Sequence, residues 1–198
     1  VSFGDSKSPR ERAAMDTMRR LHPSYEATVI EFVRQDPAAE ARAALDFARV
    51  TARKRPVILA VSHDREGGTL QHIYQLAESL SDKASMLMLR PAPGGQVSLQ
   101  LAEASAEGSR LLFELPTEFD VLVQVLRDLG VRHIHFHHLL GHGKLVQDAL
   151  VVRLGVTHDF TAHDFHAVCP QLSMVGPEDL YCRERGLDQC ASCLRRHP

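Results

Sequence analysis

The chain has 198 residues, with 23 Lys and Arg against 25 Asp and Glu, 44% hydrophobic residues, 12 His, four Cys and no Trp. That length holds one sizeable core with an appendage, but it is short for two full domains or for a (β/α)8 barrel of roughly 250 residues. A formal net charge of −2 supplies no broad basic field, which argues against nucleic acid as a partner and makes any anion binding local.

No apolar run approaches the roughly 18 residues of a membrane span, and no apolar signal segment stands near the start, so a cytoplasmic location is expected. Residues 1–55 read as a helical extension or linker. Ser24 precedes a run in which Val29, Ile30 and Val33 fall on one helical face. Asp36-Pro37 has the form of an N-cap followed by Pro in the first turn, with Ala41, Ala44, Leu45 and Ala48 at helical spacing behind it.

From residue 56 to 168 strands alternate with helices, the order that gives an α/β fold with a parallel, Rossmann-like sheet and helices on both faces. The run VILAV over 57–61 suits a buried parallel strand. It ends in SHDREGGT, after which Leu70, Ile73, Ala77 and Leu80 stripe a helix. Further strands are expected over 85–89, around 97–101 and over 110–115. Phe119, Leu122, Leu126 and Leu129 mark a helix stopped by Gly130. A strand over 131–136 delivers His137-His138, and a helix over 144–154 follows, with Leu145, Ala149 and Val152 on its inner side and Gly155 at its end. The last strand, 156–162, runs into His163-Asp164.

Ligands of such sheets lie beyond the carboxyl ends of the strands, so three loops are expected to share one cleft. Gly67-Gly68 at a strand-to-helix turn lets the chain come close to a ligand and presents backbone N–H groups to an anion, although neither the dinucleotide fingerprint nor a P-loop is present. In VRHIHFHH, His133, His135 and His137 share one face of the strand, a pattern open to metal ligation, to polar contacts in the cleft, or to plain packing. The four Cys fall at Cys169-x12-Cys182-x7-Cys190-x2-Cys193 in a segment, 169–198, with little periodicity, which suggests a staple. A structural zinc held by the four thiolates is the favoured form, with disulfides and free thiols as alternatives.

The string VILAVSHDREGGTLQHIYQLAESL resembles the opening strand, Gly-Gly loop and first helix of the group 1 (family 4) glycosyltransferases, which have the GT-B fold of two facing Rossmann-like domains. RHIHFHHLLGH is similar to the family strand that ends in a His-rich turn. LGVTHDFTAHDFHAVCPQLSMVGPEDLYCRERGLDQCASCL resembles a bacterial subset that serves O-antigen and other surface polysaccharides. The resemblance covers about 56–198, is weakest around 90–115, and is most specific in the Cys-Pro tail.

The resemblance implies a retaining enzyme that moves a sugar from a nucleotide-sugar donor to a glycan or lipid-linked acceptor, with peripheral membrane association through that acceptor. It implies that Gly67 and Gly68 approach the donor diphosphate or the acceptor, that His163 contacts the donor sugar with Asp164 beside it, and that His137 and His138 line the cleft. In the family the nucleotide sugar is bound mainly by a C-terminal Rossmann-like domain with a Glu-x7-Glu motif. These 198 residues hold no such motif, so the expectation is the N-terminal, acceptor-side half, inactive alone. Two other readings compete: a zinc-stapled protein-binding module and a metal-dependent hydrolase built on the His cluster.

Overall fold

A computed structural model of the chain describes residues 7–103, 110–169, 173–176, 180–183 and 186–196. Two compact units divide it, Val1–Ala39 and Glu40–Pro198. In the first, helix α1 (Lys7–Leu21) is followed by α2 (Tyr25–Gln35), and Arg19 clasps Glu26 through Nε at 3.1 Å and a terminal guanidinium nitrogen at 2.9 Å. The expected apolar face of α2 buries nothing, with Ile30 and Val33 exposed, and Ser24 forms no side-chain cap. Asp36 adopts the left-handed conformation at φ 41° and closes α2. Its N–H donates to the Phe32 carbonyl, while its own carbonyl accepts from Ala39 N–H and opens the next turn.

Helix α3 (Ala39–Ala52) packs into the second unit, so the stretch expected to be extension or linker up to residue 55 contributes to the main core. The buried stripe is Ala43, Phe47 and Val50. Ala41, Ala44, Leu45 and Ala48 face outward instead. The two large side chains Phe47 and Val50 decide which face turns inward, since each removes far more apolar area from water than an alanine does.

The sheet has six strands in the order β4-β3-β2-β1-β5-β6, with β1 (Val57–Val61), β2 (Ser85–Ala92), β5 (Val131–Phe136) and β6 (Thr157–Phe160) mutually parallel. Strands β3 (Gln96–Leu101) and β4 (Arg110–Glu114) instead run antiparallel on one edge. The three-residue connection Pro93–Gly95, with Gly94 and Gly95 at φ 74° and 80°, is long enough for a hairpin and far too short for a parallel crossover.

Helices cover both faces. Val57, Leu59 and Val61 of β1 join the main core with α3, with α5 (Phe119–Asp128) and with the segment after β5. Ala60 packs on the other face with Leu70 and Ile73 of α4 (Gly68–Ser79), and Ile58 lies against the same cluster. The expected stripe of α5 is buried, and Gly130 follows at φ 78°.

The helix after β5 begins as a π-turn, Leu145–Ala149, and continues as α6 (Leu150–Leu154). The wider turn rotates the stripe, so Val146 and Leu150 are buried while Val152, expected inside, is 78% exposed. Every residue of β6 is exposed. Helix α7 (Leu187–Arg196) carries Cys190 and Cys193. Among the described residues no helix is long and apolar enough to cross a membrane.

Candidate functional site

Strand order reverses at β1, whose neighbours are β2 on one side and β5 on the other. The crevice at the carboxyl ends of β1 and β5 is therefore the topological switch point, the usual ligand site of such sheets. The loop after β1 is tied to both neighbours. Ser62 N–H donates to Leu89 of β2, and the buried His142 Nε2 donates to the Ser62 carbonyl at 2.8 Å from the loop after β5. Arg90 at the end of β2 donates from Nε to the His63 carbonyl at 3.1 Å and from its guanidinium to the Asp64 carbonyl. On the far side of β2, Pro91 lies where a Cβ on Gly141 would come within 2.9 Å of its ring, and Gly141 itself sits at φ 83°.

Gly67 caps α4 at φ 129°, a conformation that excludes an L side chain. Gly68 is the first helical residue and carries no positive φ. A Cβ at either position would meet nothing within 4 Å, so the space above this helix start is open. Chain geometry thus requires the first glycine, and open access is what the second adds.

At the end of β5, adjacent residues point to opposite sides of the sheet. His137 and His138 do so, and so do His163 and Asp164 after β6, which brings the two pairs into register. His137 Nδ1 lies 3.1 Å from His163 Nε2, and His138 Nε2 lies 3.0 Å from Asp164 Oδ2. His138 Nδ1 accepts from Leu140 N–H at 3.1 Å, so its proton sits on Nε2 and is donated to Asp164. Partial burial works against the Asp164 carboxylate, but the His166 N–H on Oδ1 and the His138 imidazole on Oδ2 outweigh it and hold its pKa below the usual range. His63 packs edge-on against His138, and His166 stacks on it.

On the α4 side, His137 is fully buried, stacks on His135 with ring centres 4.1 Å apart, and meets His72 edge-on at 5.5 Å. Burial drives the His137 pKa down to about 3, with His135, His163 and His72 adding repulsion, so the ring is neutral. His163 is lowered by burial first and by His72 next. One donor atom from each of His72, His137 and His163 falls within 4.8 Å of one from each of the others, which makes this set able to hold a metal ion. Farther down the same face, His133 Nδ1 meets Thr157 Oγ1 and His135 Nε2 meets Thr161 Oγ1, both at 2.8 Å, while Asp159 Oδ1 lies 3.1 Å from His133 Nε2.

The structure thus brings His137, His138, His163 and Asp164 together and opens the Gly67-Gly68 loop toward the same strand ends. His72 and Arg90 are the site residues that sequence reasoning passed over. None of the four Cys forms a disulfide, each is half-buried, and among the described residues the grouping of three close metal donors contains no Cys. Cys190 and Cys193 sit three residues apart on α7, whereas Cys182 lies beside the short bridge between Val175 and Tyr181 and Cys169 follows the turn after His166.

No protein-family model matches the chain, and neither does any curated protein.

Proposed function

We propose that the second unit is the acceptor-side wall of a retaining, GT-B-type glycosyltransferase, moving a sugar from a nucleotide-sugar donor to a glycan or lipid-linked acceptor of a surface polysaccharide. The observation that carries this reading is the meeting of the β1, β5 and β6 loops at the switch point, where His163 and Asp164 bond to His137 and His138 beside an open glycine-capped helix start. A second Rossmann-like domain would complete the cleft and hold most of the nucleotide, and the reaction would run in the cytoplasm with the enzyme on the membrane only through its acceptor. The lack of disulfides among the four Cys fits a reducing compartment.

Breaking a glycosyl–phosphate bond develops positive charge on the sugar and negative charge on the departing diphosphate. Backbone N–H groups at the Gly67-Gly68 turn and the start of α4 favour that negative charge. His163 orients a sugar hydroxyl through Nδ1, the ring nitrogen not engaged with His137. Asp164 fixes the His138 ring and, through the chain, the position of its neighbour His163. His142 and Arg90 hold the glycine loop against the strands, so they position the site without touching the reaction.

His163→Ala in the full-length gene product tests this reading. Transfer to a lipid-linked acceptor falls by at least about 100-fold, the scale of losing an orienting contact in the transition state. Unchanged transfer removes the role assigned to His163. A metal-dependent hydrolase is the second reading, favoured by the His72, His137 and His163 grouping. Hydrolysis of the donor without any acceptor, abolished by chelation, would favour it over transfer.

A further inference from the structure

We propose that His72, His137 and His163 form a binding site for one divalent ion of the zinc class (Zn2+, Co2+ or Ni2+), with three imidazole nitrogens as ligands and a remaining position open to the cleft. The three side chains come from α4, the end of β5 and the segment after β6, so nothing local in the sequence forces them together. His137 Nδ1 and His163 Nε2 stand 3.1 Å apart. Two nitrogens bound at 2.0–2.1 Å to a tetrahedral ion stand about 3.3 Å apart, so this pair already has the spacing of adjacent ligands. The third nitrogen lies within 4.8 Å and belongs to an exposed side chain, which can swing in by rotation about its own bonds.

His137 is fully buried with its Nδ1 against His163, so packing fixes this pair of rings independently of any ion. The donor set has no carboxylate, which disfavours Mg2+ and Ca2+ and favours the imidazole-binding metals. Three His with an open position is the ligand arrangement of catalytic rather than closed structural zinc. Ion binding is read without any donor or acceptor, so its outcome is separate from that of sugar transfer.

The test is Co2+ titration of the full chain with all four Cys changed to Ser, followed by visible absorption and metal analysis after gel filtration. One equivalent binds with d–d bands and no thiolate charge-transfer band, and His72→Ala weakens binding by more than about 100-fold, beyond the loss of an outer-shell partner. His72 is exposed, so its removal leaves the fold in place. Should the Cys-free chain fail to fold, the wild-type chain serves, because thiolate-bound Co2+ announces itself by its charge-transfer band and the His72→Ala difference is read apart from it. Absence of binding in a folded Cys-free chain overturns the proposal, as does binding that His72→Ala leaves unchanged.

Discussion

His142 links two loops across 80 residues of sequence, and its protonation state carries a measurable consequence. It is 5% exposed, and burial pushes its pKa down to about 4, even though the bond to the Ser62 carbonyl raises it. An unfolded imidazole titrates near 6.5. Between those values the unfolded chain binds a proton that the folded chain refuses, so the stability from His142 is complete above about 6.5 and is lost as pH falls toward about 4. At about pH 5 the unfolded site is favoured by a factor of about 30, which is about 2 kcal/mol.

His142→Gln removes the titration while keeping a side-chain donor for Ser62. Urea unfolding of both proteins at about pH 7.5 and about pH 5, with chelator present, gives the difference. The wild type loses about 2 kcal/mol more than the variant on acidification, and other titrating groups cancel in the comparison. Parallel loss in the two proteins would refute a neutral, buried His142.

Gly67→Ala introduces a side chain at φ 129° and destabilises by about 1–3 kcal/mol, measured by urea unfolding. Gly68→Ala leaves stability within about 0.5 kcal/mol, yet its Cβ stands in the open space over the helix start and raises the KM for the nucleotide sugar. Leu150→Ala costs about 2–5 kcal/mol while Val152→Ser costs less than about 0.5 kcal/mol, a contrast that thermal unfolding reads and that follows from the π-turn. Asp164→Asn lowers transfer by at least about 10-fold through the His138 ring, whereas rates equal to wild type would leave Asp164 without a role.

Much of the fold was legible because single residue patterns carry it. The apolar run of β1 and the Phe119, Leu122, Leu126 stripe of α5 each state their element directly. The phase of α3 was not legible from alanines, because Phe47 and Val50 dominate its burial. Val152 lies outside the buried stripe because a π-turn shifts the periodicity, which an α-helical count cannot register. The antiparallel run of β3 follows from the three-residue Pro93–Gly95 connection, because a parallel crossover needs about a dozen or more residues.

The site divides in the same way. His137, His138, His163 and Asp164 follow from the rule that ligands gather at strand ends. His72 belongs to no motif, and only the packing of α4 over the β5 end brings it to His137. His142 owes its burial to a contact with Ser62 that no local pattern foretells. The Cys spacing points to a staple, and of its four members α7 carries Cys190 and Cys193 three residues apart.

The most direct measurement is sugar transfer by the full-length gene product, using a panel of labelled nucleotide sugars and a membrane-lipid acceptor, with wild type and His163→Ala compared at equal folded concentration. Transfer from one donor that falls by at least about 100-fold in the variant is the predicted result. Transfer from no donor in the panel, or transfer that survives the loss of His163, would contradict it.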